Sequence, residues 1–183
     1  LLLVGMAVIA AVPFFKEKRA ERKYENEFKK IQESVTEKKS DVNGLVKKNK
    51  DCIGYVEIQG TTISYPVMQT KDNPDFYLNH DFNRNYSFYG TPYLSAYCDV
   101  EKSDNLIIYG HNINGGKMFG ALEQYKDKEF FYKHRKIYFT TDKKREYEVF
   151  AVMSVNIHEF EYWKFVMARD EKEYDEFVDK VEE

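Results

Sequence analysis

Residues 104–112 have the sequence Asp104-Asn-Leu-Ile-Ile-Tyr-Gly-His-Asn112, in which a continuous apolar run leads into a Gly-His-Asn turn. The run from Asn105 to Tyr109 favours a central, buried strand. A strand end holds a side chain rigidly, and Gly110 permits tight backbone geometry beside it. His111 at that position can donate or accept a proton near neutral pH. Taken alone, the pattern leaves two interpretations open, a structural histidine and a catalytic one.

The segments around this run alternate between strand-like and polar patterns. A Gly/Asn loop follows the histidine, and a polar loop region covers Gln69 to Asn85. No internal repeat is present. The predicted order of elements is mostly β with short helices between the strands, which favours a β-barrel with helical decorations. The predicted elements are a hairpin of Ile53–Gln59 and Thr62–Met68, a strand at Thr91–Tyr97, a short helix at Met118–Tyr125, a hairpin of Lys136–Thr141 and Tyr147–Ile157 around the turn Asp142–Arg145, and a helix from Asp170.

The first fifty residues are different in character. Residues 1–15 carry no charge and are interpreted as part of a membrane anchor, although fifteen helical residues span only about 22 Å. The chain starts without a Met, so we expect this anchor to continue upstream. Basic residues follow the apolar run at once, which conflicts with an extracellular position, and the orientation stays open. Residues 16–50 predict a helical arm whose narrow apolar stripe packs on the following domain. Its members are Tyr24, Phe28, Ile31, Val35, Val42 and Leu45.

Composition excludes several functional classes. The net charge of -3 argues against nucleic acid binding. Two cysteines, Cys52 and Cys98, are too few for a disulfide framework, and separate, partly buried thiols are the simpler interpretation. The remaining histidines, His80, His134 and His158, have no metal-like spacing with either cysteine, so no metal site is predicted.

Several motifs together resemble the sortases, and most closely class B. The strand ending in Tyr-Gly-His-Asn, followed by Lys117-Met-Phe119, resembles the catalytic-histidine region. Upstream, Ile58–Val67 resembles the first hairpin, and Gln69–Asn73 with Tyr77–Phe82 resembles the loop that follows it. The match runs in the same order from Asp51 to Glu183, which makes it much more specific than any one motif.

The resemblance implies a mainly β, sortase-like closed barrel of about eight strands with a helical arm and helical insertions, spanning residues 51–183. It implies a membrane-anchored, extracellular cysteine transpeptidase that needs no cofactor. A cysteine would attack the Thr carbonyl of an Asn-Pro-x-Thr type sorting signal in a secreted protein. An amine of the cell wall or of a pilin subunit would then accept the Thr carboxyl group.

The resemblance also assigns site residues. His111 matches the catalytic histidine, as general acid and then base. Asn73 and Leu78 match substrate-groove positions, and Tyr77 is a plausible neighbour, although core packing explains Leu78 equally well.

The resemblance implies that a strand with the nucleophilic cysteine follows the helix from Asp170, and that the next strand carries an essential arginine. Neither segment is in the 183 residues. Cys98 and Cys52 match no nucleophile position. We therefore expect a catalytic domain that lacks its last strands, clipped at both ends. The alternative is a non-catalytic, membrane-tethered domain that keeps a sortase-like groove.

Overall fold

The computed structural model describes residues 18–33, 42–156 and 158–182. Four α-helices are present in this part of the chain: α1 over residues 18–33, α2 (Val42–Lys48), α3 (Lys128–Lys133) and α4 (Glu171–Glu182). The strands are β1 (Cys52–Ile58), β2 (Ser64–Met68), β3 (Tyr93–Leu94), β4 (Ile108–Tyr109), β5 (Asn112–Ile113), β6 (Lys117–Met118), β7 (Lys136–Thr140) and β8 (Lys144–Glu148). Three 3₁₀ segments lie at Phe76–Leu78, Phe119–Lys126 and Tyr162–Lys164.

The predicted first hairpin forms the centre of the main sheet. β1 and β2 are antiparallel and are joined through a turn in which Gly60 has a φ of +79°. This left-handed conformation suits glycine, because other residues meet a steric penalty there. The hairpin side chains are largely buried, and Ile63 and Val67 have no exposed surface. The hairpin therefore supplies the core on which the other elements pack.

The main sheet has six strands in the order β4-β3-β2-β1-β7-β8. β2 and β3 pair in parallel, and the other neighbouring pairs are antiparallel. Within the described residues, β4 and β8 are edge strands that do not pair with each other. The fold is therefore mainly β with a curled, half-barrel sheet, and barrel closure is not observed.

Two predicted strands are shorter than expected. Asn105–Tyr109 contributes only Ile108–Tyr109, because Asn105 bonds a loop instead of a strand: its backbone N donates to the Val166 carbonyl (3.1 Å) and its side chain to the Phe165 carbonyl (2.8 Å). Thr91–Tyr97 is reduced to Tyr93–Leu94.

The second hairpin turns earlier than predicted. Its turn closes between Thr141 and Lys143, so Lys144 and Arg145, which were assigned to the turn, lie in β8. β8 accepts them because its side chains are mainly exposed and pair across the strands, as Lys136 does with Glu146 (2.8 Å). Residues 149–156 then follow without regular structure.

The helical segments before β1 pack on the domain, as their apolar stripe predicts. Tyr24, Phe28 and Ile31 are buried, and Phe28 meets the ring of Tyr65 edge-on at 5.2 Å between centroids. On α2, Leu45 is buried as well. Val35 and the predicted anchor at residues 1–15 lie outside the described residues. None of the helices in the described part is long and apolar enough to span a bilayer.

Candidate active site around His111

His111 lies just beyond β4, where the main sheet gives way to the small β5–β6 hairpin. Its backbone carbonyl accepts a hydrogen bond from the Phe119 N–H at 2.9 Å. The preceding Gly110 is needed for close packing, because a Cβ there would lie 2.7 Å from the Phe119 ring. The predicted rigid presentation of His111 is therefore produced by packing against Phe119.

The imidazole of His111 is held by a backbone carbonyl. Its Nε2 lies 2.8 Å from the carbonyl oxygen of Leu78. A carbonyl only accepts hydrogen bonds, so Nε2 carries the proton in this contact. No partner for Nδ1 is found among the described residues. When the ring is neutral, Nδ1 is therefore the nitrogen that can accept a proton.

The turn that carries Leu78 is itself firmly built. The Phe76 N–H donates to the Asn73 carbonyl (3.0 Å), and the Thr91 N–H donates to the Tyr77 carbonyl (2.9 Å). Gly90, with a φ of +60°, lets the chain pass close to this turn. A Cβ on Gly90 would lie 2.4 Å from the Leu78 carbonyl oxygen. The atom that orients His111 therefore depends on a glycine twelve residues later in the chain.

Tyr77 supports the turn from inside. Its side chain has no exposed surface, and its hydroxyl donates to Asp51 Oδ2 and accepts from Asn49 Nδ2, both at 2.8 Å. Burial raises the pKa of this phenol above its ordinary value. The predicted place of Tyr77 in the substrate groove differs from this position, since a fully buried side chain presents no surface to a peptide.

The other two predicted groove residues are accessible. Asn73 is exposed at the start of the turn, and Leu78 is half-buried next to the imidazole. The structure thus brings Leu78 and His111 into direct contact, and it places Asn73 on the same turn. The predicted packing role and binding role of Leu78 both fit this position, and its substrate contact stays a prediction.

Phe88 is a neighbour of His111 that sequence reasoning did not identify. Its side chain is 68% exposed, and its ring is parallel to the imidazole (7°) with centroids 6.4 Å apart. Because this exposed apolar ring lies beside the imidazole, Phe88 is a candidate for contact with a substrate. No signal in the sequence separates Phe88 from the other aromatics of this loop.

The surroundings of the two cysteines favour a structural role. The Cys98 side chain is 1% exposed, and its thiol donates to the Asn105 carbonyl at 3.3 Å. Cys52 is also buried, and desolvation raises the pKa of its thiol to about 12. A nucleophilic cysteine needs a lowered pKa and access to its substrate. Neither residue has the environment of a nucleophile.

Within residues 18–33, 42–156 and 158–182, no group of three or more His, Cys, Asp or Glu side chains could hold a metal ion. His80 and His134 each face a backbone carbonyl, of Phe76 (2.6 Å) and Gln59 (3.0 Å). Both therefore have local structural partners.

Comparison with known proteins identifies the family. A family model described as the sortase domain matches residues 56–176. Sortase B of Staphylococcus aureus is 29% identical over 188 residues, which cover 99% of this chain and 75% of that protein. Sortase B of Listeria monocytogenes is 37% identical over 118 residues, covering 63% of this chain and 48% of that protein.

Comparison with solved structures also identifies the sortases. The solved Staphylococcus aureus sortase B–substrate complex has a TM-score of 0.74 and 27% identity, covering 91% of this chain and 77% of that chain. The family model, the curated relatives and the solved structure thus agree on one kind of protein. This chain belongs to the sortase family of cysteine transpeptidases, and within it to class B.

Proposed function

We propose that this protein cleaves an Asn-Pro-x-Thr type sorting signal and joins the Thr carboxyl group to an amine of the cell wall or of a pilin subunit. The observation that carries the proposal is the 2.8 Å contact between His111 Nε2 and the Leu78 carbonyl. It fixes the ring and leaves Nδ1 for proton transfer. The relative solved as a substrate complex supports a bound substrate on this fold.

His111 has two tasks in such a reaction. A thiolate attacks the Thr carbonyl, and His111 donates a proton to the leaving amine. In the second half-reaction it removes a proton from the incoming amine, which then attacks the thioester. The thiolate is neither Cys52 nor Cys98, since both are buried. The Leu78 carbonyl accepts the Nε2–H and so keeps the ring oriented in both steps.

The substrate would lie along the exposed side of the Asn73–Leu78 turn. Asn73 offers an exposed amide, and Leu78, whose carbonyl holds the imidazole, offers a half-buried apolar side chain. The partners are a secreted protein with a C-terminal sorting signal and the amine of a peptidoglycan precursor or pilin. The uncharged residues 1–15 support attachment to the cell membrane. We propose further that the catalytic domain lies on the outer face of the membrane and needs no cofactor, as the resemblance to the sortases implies.

The sheet would form part of a closed barrel. An apolar cleft of about 600 Å³ lies between the sheet and α4, with Ile58, Phe139 and Phe177 in its walls. Facing apolar walls favour an arrangement in which further apolar side chains fill the space between them. This supports a barrel in which β4 and β8 are not the final edges.

The test is peptide cleavage by the complete protein of the source organism. A quenched fluorescent peptide with an Asn-Pro-x-Thr signal is incubated with and without an amine acceptor. We expect turnover that a thiol-modifying reagent abolishes. The turnover rate should fall at least about 100-fold in His111→Gln, which is the usual effect of removing a general acid–base. His158→Gln is the matched control, because His158 is exposed.

Two results separate this function from the alternative. Binding of the peptide without turnover in the unmodified protein supports a non-catalytic, membrane-tethered binding domain. Equal turnover by the His111→Gln and His158→Gln variants contradicts the assigned role of His111.

A further inference from the structure

Helix α1 has a second stripe beside its buried one. The residues of this stripe are separated by three, one, three, one and three positions, a spacing that places them on one helical face. It consists of Arg19, Arg22, Lys23, Asn26, Glu27 and Lys30. Four of the six are cationic, and one is an acid.

This face forms one wall of a groove. The groove has a volume of about 540 Å³, and its other walls come from Lys48 at the end of α2 and from Phe82 and Asn83. Cations from two separate helices therefore converge on one concave surface. Converging charges in a groove focus the electrostatic potential and attract ions of the opposite sign.

Among the described residues, most of these cations have no carboxylate partner. Lys23 Nζ lies 3.8 Å from Asp81 Oδ2. For Arg19, Arg22, Lys30 and Lys48, no carboxylate oxygen among the described residues lies within the 4 Å of an ion pair. Their mutual repulsion is reduced when an anion enters the groove.

Glu27, the one acid among the described residues that line the groove, is partly protonated at neutral pH. Glu27 Oε1 accepts a hydrogen bond from Asn83 Nδ2 at 2.7 Å. Burial, and then the neighbouring Asp81 carboxylate, raise the pKa of Glu27 to about 7, and Lys23 opposes this. A substantial share of Glu27 is thus uncharged at neutral pH. The groove becomes more cationic as the pH falls, which favours an anionic ligand further.

We propose that this groove binds the phosphate groups of anionic phospholipids and holds α1 against the membrane surface. The source of phosphate follows from chain continuity. The uncharged run ends at Phe15, and Arg19 to Lys23 lie within eight residues of it in the sequence. Lys30 and Lys48 extend the cationic surface beyond the segment that adjoins the apolar run. The proposal does not depend on catalysis.

The experiment uses the full chain in lipid nanodiscs. One set contains only zwitterionic lipid, and the other contains about one third phosphatidylglycerol. Lysine acylation is measured residue by residue by mass spectrometry. We expect Lys30 and Lys48 to be labelled several-fold more slowly in the anionic discs, and Lys172, an exposed lysine on α4, to be unchanged. High salt should remove the difference.

A variant and a competitor complete the test. Each juxtamembrane cation contributes about fivefold to binding of an anionic surface, so Arg19→Gln/Arg22→Gln should remove most of the protection at Lys30 and Lys48. Circular dichroism verifies that the variant remains folded. Equal labelling in both discs overturns the proposal. Equal protection by soluble polyphosphate in zwitterionic discs also overturns it, since it identifies a site for a soluble polyanion.

Discussion

Replacing Gly90 by alanine should displace the carbonyl that orients His111. Gly90 has a φ of +60°, and a Cβ there would lie 2.4 Å from the Leu78 carbonyl oxygen and 2.6 Å from that of Tyr77. Both atoms belong to the backbone, so no side-chain rotation relieves the contact. The turn must move by nearly 1 Å to restore an ordinary van der Waals distance of about 3.4 Å.

The cost of this change has two parts. Placing alanine in the left-handed region costs about 1 kcal/mol. Moving the turn weakens the Thr91 N–H···O Tyr77 bond and the His111 Nε2–H···O Leu78 bond, at about 1 kcal/mol each. With the residual steric strain, we expect a loss of about 3 to 5 kcal/mol in the free energy of unfolding.

Gly115→Ala provides a matched control. Gly115 has a φ of +80°, and nothing lies within 4 Å of the Cβ that alanine would add. This variant therefore has the backbone penalty without the steric contact, and it should lose only about 1 kcal/mol.

Two measurements test the effect of the Gly90→Ala change. Urea denaturation compares the free energies of unfolding of the two variants with that of the unmodified protein. Nitrogen-15 NMR of the imidazole reports which ring nitrogen of His111 has the proton. The neutral ring should be protonated at Nε2 in the unmodified protein and in Gly115→Ala, and mixed in Gly90→Ala. Equal stability losses in the two variants, with an unchanged His111 tautomer, would refute the reasoning.

Two further predictions concern contacts of the arm. Glu27→Gln should stabilise the protein above pH 7, because burial and Asp81 raise the pKa of Glu27 to about 7 and so penalise its charged form. The penalty on the charged form develops as the pH rises from about 4.5 to 7. After allowance for the half-exposed side chain, we expect urea denaturation to show a gain of about 1 kcal/mol in the free energy of unfolding at pH 8 and none at pH 4. A difference that does not change with pH would contradict this. Lys117→Gln should cost about 1 kcal/mol, because the partly buried Lys117 Nζ forms ion pairs with Glu21 and, at 3.1 Å, with Glu25. The loss should shrink in 1 M NaCl, and a salt-independent loss would contradict an ionic origin.

The parts of the fold that were predicted correctly depend on strong local patterns. The hairpin around Gly60 combines strand-forming residues with a turn glycine, and its strands lie within about two residues of their predicted limits. The predicted helix from Asp170 is α4. In both cases the residues themselves determine the element, and tertiary contacts only reinforce it.

The errors occur where distant contacts outweigh local pattern. Asn105 to Ile107 have strand-like sequence, yet Asn105 pairs with a loop sixty residues later. Basic residues predict a turn at Asp142–Arg145, but Lys144 and Arg145 lie in β8, because charges are tolerated on an exposed strand. Neither the Asn105 contact nor the exposure of β8 is visible in a local window of sequence.

The candidate site shows the same division. The position of His111 after an apolar strand is visible in the sequence, and the family resemblance assigns Leu78 to the substrate groove. The contact between them is made by the Leu78 carbonyl, however, which every amino acid has. Sequence therefore identified the position but not the atom. The burial of Tyr77 and the exposure of Phe88 are likewise properties of the folded chain.

Helix α1 links the cationic groove to the loop that follows His111. On its buried face, Tyr24 OH lies 2.7 Å from Met118 Sδ. The next residue, Phe119, donates its N–H to the His111 carbonyl. A ligand that binds the cationic face of α1 stabilises the whole helix, since helix formation is cooperative. The stabilised helix carries Tyr24, so the proposed lipid contact and the contact with the strand next to Phe119 lie on different faces of one element.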